Sequence, residues 1–287
     1  MPEIQSRSEA AAGFALFLSA FSAALIYFNY KRQALDVPNP TSPLHRVNSY
    51  TTVSAPYVAK HITGLTAEGE EARTPSIRHF PVAHLEDTFP GAETHPSPLL
   101  TRVWPRNLNF VSRSHEVLES QLVTKDSSAA GAELRAFVRA GPHERLFFDP
   151  KRVKAAIVTC GGLCPGLNTV IREIVMCLSN VYGCGEVYGV QNGYCGFYSG
   201  APWRRLTPRD VAEIHEHGGT VLGSSRGGFH LDKILNSLVE KGISQLFVIG
   251  GDGTHRGAME LIKGAQARGL RLSVVGVPKT IDNDIAL

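Results

Sequence analysis

Two regimes of hydrophobic patterning divide the chain near Arg139. Beyond it, short apolar runs alternate with amphipathic stretches. The run Ala155–Cys160 ends in Gly161-Gly162 and predicts a strand buried on both faces. After Pro165-Gly166, Asn168 is placed to cap a helix whose apolar face holds Val170, Ile171, Ile174, Val175 and Leu178. A second strand is predicted over Glu186–Val190. A helix follows over Pro208–His217, with Thr207 as cap and Gly218 as stop. Another helix is predicted near Leu231–Lys241, then a strand at Gln245–Ile249, a helix over Thr254–Arg268 and a strand at Leu272–Val277. Strands alternating with helices predict an α/β fold, a parallel sheet with helices on both faces. Ligands of such sheets gather at the carboxyl ends of the strands, where the loops at Gly161 and Gly250 fall.

Before Arg139 the pattern is different. Ala10–Tyr30 carries no charge and is just long enough to cross a bilayer as a helix. Lys31 and Arg32 follow it, so an anchor here would leave the bulk of the chain in the cytoplasm. A cleaved or organelle-directing leader is the alternative, although Glu3 and Glu9 suit a secretory signal poorly. Membrane contact, if made, is expected through residues 10–30. From Asp36 to Ser127, ten prolines and frequent Ser and Thr remove any period, which reads as a linker or wrapping arm. The expected division is 1–32, apolar segment; 33–138, extension; 139–287, folded domain.

Composition narrows the classes. At 43% apolar and 19% charged, the 287-residue chain is of globular type. A net charge of +3, without a basic stripe, gives no support to a nucleic-acid partner. Five cysteines, an odd number clustered between Cys160 and Cys195, do not make a disulfide framework and fit a reducing compartment. Cys160 and Cys164 lack a second pair at zinc spacing.

The chemistry lies in four loops. Gly161-Gly162-Leu163-Cys164-Pro165-Gly166 joins a strand to a helix start, where backbone amides and the helix N-terminus favour a phosphate; its bland reading is a tight turn. In Gly250-Gly251-Asp252-Gly253-Thr254 an acid within glycines can hold Mg²⁺ while phosphates lie on the backbone. Arg226 is the one charge in the glycine-rich run Gly218–Gly228, and its guanidinium can reach phosphate oxygens. In Thr280-Ile281-Asp282-Asn283-Asp284, an Asp beside a substrate hydroxyl can take its proton as the oxygen attacks phosphorus. Asn192-Gly193-Tyr194 reads as a turn, and His215 and His217 as a solvated pair.

With these runs in this order, Arg139–Leu287 resembles the ATP-dependent 6-phosphofructokinases. The likeness is to the group of plants and some protists, close to the pyrophosphate-using enzymes. It is carried by Arg139–Pro142, Phe147–Pro150, Gly161–Asn168, Leu222–Gly228, Gly250–Thr254 and Pro278–Asp284. The resemblance implies Mg²⁺ as cofactor, ATP and fructose 6-phosphate as substrates, and a homo-oligomer at full length. By position, Gly162 is a nucleotide contact, and Arg226 and Gly227 lie near the ATP phosphates. Asp252 is the Mg²⁺-associated acid, with Gly251, Gly253 and Thr254 around the phosphates. Thr280 and Ile281 contact substrate, Asp282 is the proton acceptor and Asp284 its supporting acid. Gly253 stands where pyrophosphate-dependent relatives typically have Asp, which favours ATP; Lys279 matches the pyrophosphate group, and the mixed pair occurs in the plant-like ATP enzymes. The family extends past the position of Leu287, so the sequence is expected to be a piece whose own turnover is weak or absent. Two alternatives are another Gly-Gly-Asp-Gly kinase, acting on a lipid or NAD, and a nucleotide-binding or assembly-partner fragment without activity.

Overall fold

A computed structural model describes residues 77–82, 84–101, 110–118 and 134–282. Its centre is a five-stranded sheet built from β6 (Lys154–Thr159), β7 (Glu186–Val190), β8 (Arg204–Arg205), β9 (Gln245–Gly250) and β10 (Ser273–Pro278), in the order β10-β9-β6-β7-β8. The first four strands of that order, β10 to β7, run parallel. The two-residue β8 pairs antiparallel with β7, so the sheet is mixed at one edge, a departure from the purely parallel expectation. Arg204 and Arg205 lie in a segment too short to show a hydrophobic period.

Strand residues are buried on alternate faces, as a period of two requires. Ala155, Ile157, Phe247 and Ile249 enter one core with helix α2 (Leu167–Met176); Ala156, Val158, Leu246 and Val248 enter the other with α3 (Leu231–Glu240) and α4 (Asp252–Ala267). Helix spacing supplies the facing surfaces. Ile171, Ile174 and Val175 of α2 are buried, as are Ile234, Leu235 and Leu238 of α3. Each fully buried Leu or Ile contributes about 1.5–3 kcal/mol of transfer free energy.

Before the sheet, β1 (Ile77–Phe80) pairs parallel with β4 (Leu134–Val138), and β3 (Glu116–Leu118) pairs antiparallel with it. Phe80 stacks on Phe137 with ring centroids 4.9 Å apart. β2 (His95–Pro96) pairs with β5 (Arg145–Leu146), and a single-turn helix α1 spans Leu85–Thr88. The Arg271 guanidinium, just ahead of β10, lies 4.8 Å from the Phe147 ring and ties this part to the amino end of the sheet. Among the described residues no helix is long and apolar enough to cross a membrane; Ala10–Tyr30 lies outside them.

Two local expectations are corrected. Residues 208–217 do not form the expected α-helix; turns run to Glu213 and a 3₁₀ turn spans Ile214–Glu216. Thr207 does exchange hydrogen bonds with Asp210 as a cap would. Yet the Ala212 carbonyl, which an α-helix would give to residue 216, accepts from Arg172 Nε at 3.0 Å. Val211 and Ile214 are buried against α2 in this arrangement, so packing decides over propensity. The second correction concerns Asn168. Gly166 occupies the N-cap position of α2, and Asn168 is buried inside the first turn. Its amide donates to the His217 carbonyl at 2.9 Å and accepts from the Val221 amide at 2.8 Å, bracing the loop that leads to Arg226.

Candidate active site

The site forms where the chain's two windings part. From β6 the chain passes through α2 to β7 on one side, and from β9 through α4 to β10 on the other, with α2 and α4 on opposite faces. Right-handed crossovers in opposite directions require opposite faces, and they leave a crevice at the carboxyl ends of the strands between them. The Cys160 amide donates to the Ile249 carbonyl at 2.9 Å, which brings the Gly161 and Gly250 loops side by side.

Three further segments close around these loops. The Gly161 amide donates to the Ser225 carbonyl at 2.9 Å, and Ser224 Oγ donates to the Gly161 carbonyl at 2.7 Å. Gly161 itself has φ +85°, the left-handed region that a side chain disfavours. Arg226 is thereby held over the first loop, a guanidinium nitrogen 4.0 Å from where a Gly162 β-carbon would sit. The Lys279 ammonium lies 3.7 Å from the corresponding position at Gly161. Two cations therefore bracket the Gly161-Gly162 backbone, the arrangement that anionic phosphates require. In the sequence Lys279 stands out through its likeness to the pyrophosphate-using group; its reach across to Gly161 is set by the pairing of β10 with β9, which the sequence does not show.

The second loop opens α4. Asp252 and Gly253 are exposed in its first turn, while Thr254 is buried and its carbonyl accepts from Tyr194 Oη at 2.7 Å. Around Gly253 a β-carbon would meet no atom within 4 Å, so the space there is open. Gly251 borders the Lys279 carbonyl, 3.8 Å from its own virtual β-carbon, and Gly227 has open space around it. The run after β10 turns back toward the first loop: Cys164 Sγ donates to the Thr280 carbonyl at 3.4 Å, and the Asp282 amide donates to Thr280 Oγ1 at 3.0 Å. Ile281 is 74% exposed and Asp282 is exposed, so neither belongs to a core. Asp284 lies outside the described residues. Gly162, Arg226, Gly227, Gly251, Asp252, Gly253, Thr254, Thr280, Ile281 and Asp282 are thus drawn from three strand ends and one loop to a common side of the sheet.

Other residues support the site without having announced themselves. The turn at Asn192-Gly193 backs the arginine loop, with Ser225 Oγ donating to the Asn192 carbonyl at 2.7 Å. His255, 7% exposed, has Nε2 2.8 Å from the Gly250 carbonyl and 3.2 Å from that of Val277. Both partners only accept, so Nε2 carries the proton. Burial holds this imidazole below the usual histidine range, against the raising effect of those two hydrogen bonds and of Asp252. Burial also pushes the Cys160 thiol up to about 12, with Lys279 opposing, which makes it an inert wall of the site. All five cysteines are free. His215 and His217 are exposed, as a solvated pair would be.

Among the described residues no three His, Cys, Asp or Glu side chains cluster as a metal cage. Mg²⁺ needs no such cage, since it usually takes one or two carboxylates and completes its shell with water and substrate phosphates. Asp252, exposed beside the open surroundings of Gly253, is the acid of this loop that could take one place in such a shell.

Glycine-rich strand ends, two cations and an acid-bearing run thus meet on one side of an α/β sheet. Residues 154–287 match the family model described as phosphofructokinase. The chain is 45% identical over 207 residues to the chloroplastic ATP-dependent 6-phosphofructokinase 4 of Arabidopsis thaliana, covering 72% of this chain and 38% of that protein. It is 49% identical over 148 residues to the ATP-dependent 6-phosphofructokinase of Borreliella burgdorferi, covering 51% of this chain and 33% of the relative. For that of Entamoeba histolytica the identity is 47% over 147 residues, 51% of this chain and 34% of the relative. The chain spans only about two fifths or less of the length of these relatives.

Proposed function

We propose that the protein of which this chain is part transfers the terminal phosphoryl group of MgATP to the 1-hydroxyl of fructose 6-phosphate. The observation that carries this reading is the convergence of Gly162, Arg226, Gly251–Thr254 and Thr280–Asp282 at the switch point between β6 and β9. ATP phosphates would lie along the Gly161–Gly162 and Gly250–Thr254 backbones, between Arg226 and Lys279. Mg²⁺ held by Asp252 would neutralise charge on the phosphates when bound. The open space at Gly253 supports a nucleotide as donor over pyrophosphate, because no side chain fills it.

On the acceptor side, Thr280 and Ile281 would position the sugar and Asp282 would accept the proton of the attacking hydroxyl. Asp284 would support that carboxylate. Bringing hydroxyl and phosphorus together in line, with charge on the transferring oxygens met by Arg226, supplies most of the rate in such reactions. A lipid or NAD kinase is less well supported, since the Gly161–Gly166 loop and the acid-bearing run serve the same crevice.

The test is calorimetric binding of MgATP to the purified 287-residue chain, followed by a coupled assay for fructose 1,6-bisphosphate with ATP or pyrophosphate as donor. Saturable MgATP binding, lost in Asp252→Ala, is expected. No MgATP binding, or phosphoryl transfer from pyrophosphate alone, would overturn the reading.

A further inference from the structure

We propose that His255 is a positioning residue for this site: its one N–H, shared between the Gly250 and Val277 carbonyls, orients the first peptide of the phosphate loop and fixes that loop's distance from the Thr280–Asp282 run. The proposal rests on the reading of these loops as holding a phosphate donor.

His255 sits one turn into α4, buried between the ends of β9 and β10. Its side chain touches β9 at its last residue and β10 at its penultimate one, 2.8 Å to Gly250 and 3.2 Å to Val277, and its own amide donates to the Gly251 carbonyl at 3.0 Å. The Gly250 carbonyl also accepts from the Lys279 amide at 2.9 Å. Its hydrogen-bonding need is therefore met without the imidazole, and the second bond acts as a restraint. A trans peptide is planar, and its C=O and N–H point in opposite directions. Fixing the Gly250 oxygen toward His255 and Lys279 therefore sends the Gly251 N–H to the other side of the plane, where the proposed reading puts a phosphate. A glycine pair has no side chains to fix that plane, since neither residue is limited by a β-carbon. The imidazole supplies what the glycines give up.

The Val277 contact does a second job. Val277 is the penultimate residue of β10, and Lys279, Thr280 and Asp282 follow within five positions. One rigid ring bound to both strand ends couples the cation and acid run to the donor loop, so that neither shifts alone. The residue is silent in the sequence because a histidine after Gly-Asp-Gly-Thr looks like any polar residue in a helix's first turns.

The experiment compares the full chain with His255→Gln, His255→Asn and His255→Leu. Glutamine places an amide N–H near the Nε2 position; asparagine is too short for both carbonyls; leucine fills space with no donor. MgATP affinity is read by calorimetry, and hydrogen exchange is read in peptides covering 250–253 and 278–282, with 154–159 as the internal reference. Asparagine and leucine are expected to weaken MgATP binding about 10-fold or more and to speed exchange in the two loop peptides about 10-fold, leaving 154–159 unchanged, with glutamine close to wild type. If leucine prevents folding, the glutamine–asparagine pair decides. Exchange that rises equally throughout the sheet, or loop exchange and affinity within twofold of wild type in asparagine, would overturn the proposal and leave His255 an ordinary core residue. Should the wild-type chain bind no MgATP, the functional reading fails while the exchange data still decide the positioning role.

Discussion

Gly253→Asp separates stability from binding more sharply than any other change at this site. The backbone at Gly253 is not in the left-handed region, and a β-carbon there meets nothing within 4 Å, so an aspartate enters without strain. Residue 253 lies in the first turn of α4. Replacing a helical glycine returns about 0.5–1 kcal/mol of backbone entropy, and a carboxylate at a helix N-terminus adds about 0.3–1 kcal/mol. The variant should therefore be as stable as wild type or more so. Its effect on a bound phosphate is opposite in sign. A carboxylate about 4 Å from one phosphate charge costs about 1 kcal/mol in water-like surroundings and about 4 kcal/mol at an effective dielectric of 20. MgATP affinity should fall between about 5-fold and about 10³-fold, since 1.4 kcal/mol is tenfold. Gly253→Asn, of equal volume without charge, isolates the steric share. The assay is calorimetry at low and high salt, with urea unfolding alongside; the Asp–Asn difference should shrink as salt rises. Unchanged MgATP affinity in the aspartate variant would refute the placement of donor phosphates at this loop.

Three further outcomes follow from the same geometry. Asp282→Asn keeps the side-chain shape but cannot accept a proton; in an active preparation kcat should fall about 10²–10⁴-fold with little change in KM, and a near-normal kcat would remove Asp282 from its role. Gly223→Ala puts a β-carbon 2.5 Å from Asn192 Oδ1 at a φ of +67°, so urea unfolding should report a loss of about 2–4 kcal/mol, and a loss under 0.5 kcal/mol would show the loop to be slack. Burial depresses the folded-state pKa of His255, and of the half-buried His84 and His143. Their stability is whole above the unfolded value near 6.5 and is lost as pH falls below it, with His255 giving up to about 1.4 kcal/mol per pH unit; His255→Gln should flatten that slope in pH-dependent unfolding, and an unaltered slope would refute the buried neutral imidazole.

Most of the central elements were legible because their periods are local. Glu186–Val190 is a strand over the predicted span, the strand at 245–250 runs one residue further than expected, and those at 154–159 and 273–278 are each shifted by one residue. The helices following Gly166, His230 and Gly251 were equally visible, since an apolar stripe at helical spacing needs no tertiary partner to be read. Residues 208–217 failed for the complementary reason. Their cap and stop signals are real, but Arg172 and Asn168 of α2 claim the Ala212 and His217 carbonyls, and no local pattern announces a hydrogen bond across 40 or more residues.

The sequence by itself determined the chemistry available: glycines for backbone approach, Lys279 as a cation and Asp252 and Asp282 as acids after strands, and Arg226 as a cation in a glycine-rich loop. Tertiary structure alone decided that these become one site. The strand order β10-β9-β6-β7-β8 places β6 beside β9, although about 90 residues separate them, and two right-handed crossovers in opposite directions open the crevice there. The same order brings Lys279 over Gly161 and lets His255 reach two strand ends at once. Periodicity reports which face of an element is apolar. Which element that face meets depends on long-range burial, and so on the whole chain.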